Sequence, residues 1–162
     1  QLMVTPIRAG EMLIGKTIPY IVLGLLDIML ILTVGTFWFR VPIAGSIVSL
    51  LGYASLFILV ALGVGILIAT FVTTQQQAAL SAQFALIPNI LLSGFMFPIE
   101  SMPPFMQAFT LILPMRYFLV IVRGVMMKGL GLAELWDQVL ALAIIGVLIF
   151  SVSWLRFKKV FG

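Results

Sequence analysis

Residues 10–17 read GEMLIGKT and match the pattern G-x-x-x-x-G-K-[ST] of a nucleotide-binding P-loop. A P-loop follows a buried β-strand and wraps phosphate with backbone N–H groups, which favours small residues between its glycines. Here residues 11–14 are Glu-Met-Leu-Ile, and Thr17 leads directly into a long apolar stretch. These surroundings predict that the match is a coincidence and that Lys16 extends its amine toward a membrane surface.

Two polar side chains inside apolar stretches are the other candidates for chemistry. Asp27 lies near the centre of one stretch, where a carboxylate is costly in lipid and is a functional candidate by default. It could pair with another part of the protein, line a cavity or take part in substrate or proton passage. Asn89 follows Pro88 in another stretch and is expected to hydrogen-bond between helices.

The residue types that usually carry catalysis are missing from the chain. The 162 residues include no histidine and no cysteine. This excludes an imidazole base, a thiolate nucleophile, a disulfide framework and a thiol metal site. We therefore expect no catalytic residue and no metal centre.

Composition assigns the chain to a membrane. Hydrophobic residues make up 63% of the sequence and charged residues only 9%, whereas soluble domains carry about 25% charged residues. So few charges cannot cover a surface in water, and lipid is the natural solvent. The net charge of +4 does not indicate a nucleic-acid partner, because the basic residues flank apolar runs and form no patch.

The predicted fold is an all-α membrane protein with one transmembrane domain over residues 1–162. A spanning helix needs about 20 mostly apolar residues, and four stretches meet this requirement: 17–38, 46–72, 79–97 and 138–155. Residues 1–16 are expected to be a cytoplasmic surface segment, with Gly10 and Gly15 allowing a bend before the first span. The chain begins with Gln1 and is interpreted as the C-terminal part of a longer protein.

Four spans would place both ends of the chain on one side of the membrane. Basic residues near these ends then lie together, and the positive-inside rule weakly favours a cytoplasmic location for both ends. The residues concerned are Arg8, Lys16, Arg156, Lys158 and Lys159.

Residues 98–137 are apolar enough to suggest a fifth span. Pro114 and Arg116 interrupt the run and Arg123 closes it. An arginine at mid-bilayer costs about 2.5–3.5 kcal/mol on insertion scales. We therefore predict two short re-entrant helices that dip in from the extracytoplasmic face and return, with a fifth span as the alternative.

Charged residues of this outer region could form ion pairs. Arg116 and Arg123 are seven apart and share a helix face. They are expected to pair with Glu100, Glu134 or Asp137, or else to contact an anionic substrate or lipid.

Small residues recur every four positions in the second span. Ala61, Gly65 and Ala69 would form a ridge on which another helix can approach closely. The pattern favours a tight bundle or a dimer.

Four sequence stretches, in this order, resemble the C-terminal half of the membrane subunit of a type-2 ABC exporter. QLMVTP resembles the end of the coupling helix, and TQQQA the cytoplasmic turn between the fourth and fifth helices. SGFMFPIESMPP resembles the exit of the fifth helix, and PMRYFLVIVRG the extracellular re-entrant signature. These stretches occupy residues 1–6, 74–78, 93–104 and 114–124, and the resemblance covers essentially the whole chain.

The resemblance implies a permease without an ATPase site of its own. ATP and Mg²⁺ would be bound by a partner ABC ATPase, separate or fused, and two permease subunits would enclose the pathway in a bacterial inner membrane, in contact with lipid. Coupling to the ATPase would fall to Leu2, Met3, Val4, Thr5 and Pro6. The outer gate would comprise Pro98, Glu100, Pro114, Arg116, Tyr117 and Arg123.

Two other classes of function stay open from the residues alone. A membrane enzyme acting on lipid-linked substrates would use the charged outer cluster of Glu100, Arg116, Arg123 and Glu134. A passive channel or scaffold subunit would need neither ATPase nor active site. Dependence on a partner ATPase separates the exporter from both.

Overall fold

The computed structural model of the chain describes residues 9–161, and the side chains of residues 10–159. All regular secondary structure in this range is helical, as the sequence predicts. The helices are α1 Ala9–Phe37, α2 Ile47–Ala69, α3 Gln75–Leu92, α4 Pro104–Thr110, α5 Pro114–Lys128 and α6 Leu132–Phe161, with one 3₁₀ turn at Ile99–Ser101 before α4.

Helix α1 contains the whole GEMLIGKT stretch. A helix uses its backbone N–H groups within itself, so these residues present no loop for phosphate and the P-loop match is a coincidence. The predicted bend before the first span is wrong, because α1 is one helix that continues from Ala9 into the span. The location of residues 9–16 at a cytoplasmic surface stays a prediction. Gly10 instead allows a close approach to α6, since a Cβ there would lie 2.9 Å from the ring of Trp154.

Within the described residues, three helices are long and apolar enough to cross a bilayer, namely α1, α2 and α6. The bent pair α4–α5 is a fourth candidate if its two helices form one broken span, so the alternative of a span in residues 98–137 stays open. The predicted third span, 79–97, corresponds to α3, which is shorter and begins and ends earlier in the sequence. Its 18 residues extend about 27 Å at 1.5 Å per residue. The predicted fourth span, 138–155, lies inside the longer helix α6.

Helices α2, α5 and α6 share the core of the molecule. Its fully buried residues come from all three helices: Leu50, Val60, Ile121, Val125, Leu135 and Leu142. Glycine brings the backbones of α2 and α6 together, because a Cβ on Gly63 would lie 3.0 Å from Ile149 and one on Gly146 would lie 2.8 Å from Val60. Such small residues favour close packing of helices in lipid, where the hydrophobic effect does not drive association.

Contacts between elements define two ends of the bundle. At one end the start of α1 lies beside Trp154 of α6, and the Arg156 guanidinium lies 4.2 Å from the ring centroid of Phe71 after α2. At the other end the α1–α2 loop binds the end of α5, where the Ala44 N–H donates to the Met126 carbonyl at 2.9 Å. The described chain therefore starts and finishes at the same end of the bundle.

Candidate functional site: the α4–α5 elbow and its cleft

The α4–α5 segment, Pro104–Lys128, folds as an elbow. Its two helices meet at an angle of 80° across the break at residues 111–113. Proline stands in the first turn of each helix, where its missing N–H costs no helical hydrogen bond. The two helices predicted for this region are thus present, and the break falls immediately before Pro114.

The Arg116 side chain holds the two arms of the elbow together. Its Nη1 donates a short hydrogen bond to the Thr110 hydroxyl and also lies 3.5 Å from the Gln107 carbonyl oxygen. The buried Thr110 hydroxyl donates to the same carbonyl at 2.6 Å. A cation thereby binds the carbonyl end of α4, where the helix dipole is negative and backbone oxygens lack helical partners.

Tyr117 makes a second link across the break. Its hydroxyl donates to the backbone carbonyl of Leu111 at 2.8 Å. The Arg116 guanidinium carbon lies 6.0 Å from the centre of the Tyr117 ring, at the edge of cation–π range. Arg116 and Tyr117, two of the six residues predicted for the outer gate, therefore brace the angle of the elbow.

Arg123 connects the elbow to the end of α3. Its Nη2 donates to the Gly94 carbonyl at 3.2 Å. Gly94 has a φ of +88°, a left-handed conformation that glycine adopts without strain, and it follows the last turn of α3. Arg123 consequently links α5 to the point where the chain leaves α3.

The predicted ion pairs of these arginines are wrong for the described structure. Arg116 and Arg123 bind a hydroxyl and backbone carbonyls, whereas Glu134 accepts from the Gly131 N–H at 2.8 Å and caps the start of α6. The Asp137 carboxylate accepts from the neighbouring Gln138 amide. Carbonyls near helix ends lack helical partners and are available to accept from these side chains.

Pro98 and Glu100, also predicted for the gate, lie in and beside the 3₁₀ turn that precedes α4. Pro98 is exposed and its carbonyl accepts from both the N–H and the hydroxyl of Ser101. Glu100 is exposed in the same turn. They shape the entry into the elbow without contributing to its hydrogen bonds across the break.

The start of α5 lies well along the length of α2, beyond the α1–α2 loop. Pro114 and Met115 line a cleft together with Ala61 of α2, a position about 21 Å along α2 from Ile47 at 1.5 Å per residue. The other end of α5 lies at the α1–α2 loop, because a Cβ on Gly129 would meet the Ala44 carbonyl at 3.1 Å. Helix α5 thus returns toward the end of the bundle that holds the α1–α2 loop. Its depth in a bilayer stays a prediction.

The cleft beside the break lies between α2, α3 and α5 and has a volume of about 290 Å³. Its lining is apolar apart from Asn89. The residues are Phe57, Ala61, Val64, Gly65, Ile68, Ala82, Ala85, Leu86, Asn89, Pro114 and Met115.

Asn89 makes only part of its possible hydrogen bonds. Its Nδ2 donates to the Ala85 carbonyl at 3.1 Å, within the same helix. Its Oδ1 is buried and has no partner within the described chain. The predicted hydrogen bond between helices is therefore not formed among the described residues.

The small-residue ridge of α2 borders open space. A Cβ on Gly65 would meet no heavy atom within 4 Å. Gly65 lines the cleft described above and also a second one of about 490 Å³ against α1, which includes Lys16 and Tyr20. The ridge was predicted to contact another helix closely, and no helix of the described chain does so at Gly65.

The remaining predicted positions lie apart from the elbow. Asp27 is exposed on α1, and the 18-residue apolar window of that helix has no buried residue within the described structure. The predicted coupling segment, residues 2–6, lies outside the described residues.

Sequence reasoning missed the partners of the arginines. Thr110, Gln107 and Gly94 complete the hydrogen bonds of the elbow. The only available signal was position, since Thr110 and Gln107 stand a few residues before the proline break.

The arrangement is suited to packing and movement of helices. The described residues contain no group of three acidic, histidine or cysteine side chains that could hold a metal. The arginines of the outer region are engaged in hydrogen bonds that shape the fold. Fold and site together define a multi-helix membrane protein with a bent helix pair beside an apolar cleft.

Comparison with known families gives the particular assignment. The ABC-2 type transporter family model matches residues 1–127, and the chain belongs to this family. The probable multidrug ABC transporter permease YbhS of Escherichia coli (strain K12) is 39% identical over 98% of this chain and 42% of its own length. The inner membrane transport permease YhhJ of the same organism is 31% identical over 99% of this chain and 43% of its own length.

A more distant relative is the linearmycin resistance permease protein LnrN of Bacillus subtilis (strain 168), 26% identical over 72% of this chain. The chain spans less than half of the length of the curated relatives that it matches. No solved structure matches it.

Proposed function

We propose that this chain is the membrane-spanning permease part of an ATP-driven ABC exporter. Two permease subunits enclose the pathway, and a partner ATPase, separate or fused, binds ATP and Mg²⁺. The chain itself contributes no catalytic residue. The observation that carries the proposal is the ABC-2 type transporter match over residues 1–127, which includes the arginine-braced break of the elbow.

The direction and cargo of transport are supported by the names of the relatives. YbhS is described as a probable multidrug permease and LnrN as a linearmycin resistance permease. Both descriptions fit export of apolar or amphipathic molecules, and the apolar cleft beside the elbow suits such cargo. We place the protein in a bacterial inner membrane with both ends of this chain in the cytoplasm.

The first experiment is co-purification of the full-length protein from its native membrane in mild detergent. We expect an ATPase with its own P-loop to co-purify, and changes at Leu2 to Pro6 to release it, because this segment is proposed to touch the ATPase. A variant with equivalent changes at Phe37 to Arg40, at the other end of α1, serves as the control. If no ATPase appears and ATP has no effect on the protein, the exporter assignment is wrong.

The gate assignment has its own test in Arg123→Ala. Loss of the bond to the Gly94 carbonyl should impair export while leaving ATPase binding intact, because α5 ends at the α1–α2 loop, opposite the end of the bundle where the described chain starts. Lys128→Ala removes the same charge from the exposed end of the same helix and is the matched control. Normal export by Arg123→Ala would contradict the gate role without touching the family assignment.

A further inference from the structure

Three polar side chains of α1 lie along one stripe of the helix. At 3.6 residues per turn, Lys16, Tyr20 and Asp27 lie within about 40° of one another around the helix axis. All three are exposed within the described structure. Lys16 and Tyr20 line the cleft of about 490 Å³ between α1 and α2, and Asp27 lies about 10 Å further along the helix. The stripe therefore continues one wall of this cleft toward the middle of the first span.

The opposite wall of the cleft carries the small-residue ridge of α2. Gly65 and Ala69 line the cleft, and Ala61 precedes them by one turn. A Cβ on Gly65 would meet no heavy atom within 4 Å. Small residues spaced four apart let helix backbones approach closely in lipid. This wall is therefore suited to contact with a further helix.

Asp27 indicates the charge of that helix. Its carboxylate forms no hydrogen bond or ion pair with any described residue, and Lys16 lies about 16 Å away along the helix, too far to pair. Carboxylates within membrane spans almost always face the interior of a bundle or a watery cavity and pair with another polar group. The neighbours of Asp27 on its side of α1 are apolar, which does not favour a watery cavity: Leu23, Leu30, Ile31 and Val34. A basic side chain on an adjacent helix is the partner that fits.

We infer that a membrane-spanning helix of the complete permease, from outside residues 1–162, docks against the α1 stripe and the α2 ridge and presents a lysine or arginine to Asp27. The relatives have length for such a helix, since less than half of YbhS and of YhhJ matches this chain. The inference rests on the proposed function, because it takes the full-length protein to be a permease of this kind. It goes further by naming the face that receives the helix and the charge of the contact.

The test is photo-cross-linking in the full-length permease with its ATPase in native membranes. The photo-reactive residue p-benzoylphenylalanine replaces Tyr20, an exposed aromatic side chain on the stripe. We expect irradiation to join α1 to a peptide of the same polypeptide, outside residues 1–162, that contains a lysine or arginine. Mass spectrometry identifies the peptide, and an adduct within one polypeptide adds no second subunit to the mass seen on a gel.

Val22 supplies the matched control for position. It is exposed, lies two residues further along α1 and is turned about 160° away from Tyr20 around the helix axis. The photo-reactive residue at Val22 should not join the same peptide. The same adduct from both positions would overturn the inference. So would adducts from Tyr20 only with lipid, with the ATPase, with the second subunit or within residues 1–162.

Asp27→Leu tests the charged contact. It should lose most of the Tyr20 adduct, because a basic side chain is then left buried without its partner. Thr33→Val is the control on the same helix, since the Thr33 hydroxyl donates to the Met29 carbonyl of α1 itself; it should leave the yield unchanged. Replacing both Asp27 and the basic residue of the cross-linked peptide by leucine should restore the yield, because neither charge is then unpaired.

An unchanged yield for Asp27→Leu, or no recovery in the double variant, would refute the charged contact. The double variant decides the point if Asp27→Leu alone does not assemble with the ATPase. ATP hydrolysis by the unaltered complex is measured in the same membranes. Hydrolysis without the Tyr20 adduct would refute the docking face alone, whereas absence of any ATPase would refute the exporter.

Discussion

The helices fall into a packed group, α2, α5 and α6, and an open group, α1 and α3. Helix α1 of the open group is about as apolar as α2 and α6 of the packed group. The packed helices share a core in which Ile121, Val125 and Leu142 are completely buried. Helix α3 has no buried residue, and neither does the apolar window of α1. Hydrophobicity alone thus does not decide burial in a membrane protein, because lipid is as apolar as leucine.

The two groups of helices differ in how closely they pack and in the hydrogen bonds that join one helix to another. In the packed group the buried Ser153 hydroxyl donates to the Gly63 carbonyl at 3.1 Å and shares its proton with the Ile149 carbonyl at 2.7 Å. Phe57 and Phe118 stack with ring centroids 4.3 Å apart. In the open group, Gly10 and Gly24 of α1 allow close contacts with Trp154 and Ile58, but a Cβ on Gly15 or Gly35 would meet nothing within 4 Å. The open faces of α1 and α3 are the surfaces left for lipid or for other parts of the transporter.

The largest expected effect comes from a matched pair of substitutions in α6. Leu142 is 0% exposed and Leu148 is 60% exposed. Leu142→Ala should lower the free energy of unfolding by about 3 kcal/mol through the cavity it leaves, and Leu148→Ala by less than about 0.5 kcal/mol. Unfolding in mixed micelles measures both. Equal losses would mean that the outer face of α6 is covered in the complete protein.

A smaller effect is expected where the α1–α2 loop meets α5. A Cβ on Gly45 would lie 2.6 Å from the Val125 carbonyl oxygen, a backbone atom that cannot move aside. Gly45→Ala should therefore destabilise the protein by about 2 kcal/mol. Gly52→Ala, in open space on α2, should stabilise it by about 0.5–1 kcal/mol. A shift of the unfolding temperature in the same direction for both variants would contradict the close approach of the α1–α2 loop to α5.

The smallest effect tests the hydrogen bond between α2 and α6. Ser153→Ala should cost about 0.6 kcal/mol, the mean for such bonds between membrane helices. Ser151→Ala is the control, since its exposed hydroxyl donates only to the Val147 carbonyl of its own helix. If Ser151→Ala lowered the free energy of unfolding as much as Ser153→Ala, the hydrogen bond between α2 and α6 would contribute nothing to stability.

Much of this architecture was predictable from the sequence, and the misses have physical causes. Apolar runs located α1, α2 and α6, and Pro114 located the break in the elbow. The start of α1 was misplaced because Gly10 and Gly15 suggested a bend, although long helices in lipid tolerate glycine. The end of α3 was misplaced because the apolar residues 95–97 extend the run, while the left-handed turn at Gly94 follows the end of the helix.

The site was only partly predictable. Arg116, Tyr117 and Arg123 were singled out from the sequence, and all three make hydrogen bonds in the elbow, while their role in a gate stays a prediction. The partners of the two arginines were assigned to carboxylates. Backbone carbonyls accept these bonds, and sequence patterns do not reveal which carbonyls a fold leaves free. The orphaned oxygen of Asn89 was equally invisible, because it depends on the geometry of three helices.

The shape of the elbow also constrains how the protein is made. Helix α4 has seven residues, too few to cross a bilayer, and it bends by 80° into α5. Gly124 of α5 packs against Leu135 of α6, where a Cβ would approach to 3.1 Å. Ribosomal synthesis delivers α2 before α5 and α6 after it, so α5 can pack on α2 at once, while its face toward α6 stays uncovered until α6 has entered the membrane. The packing of the elbow is therefore completed only by the helix that follows it.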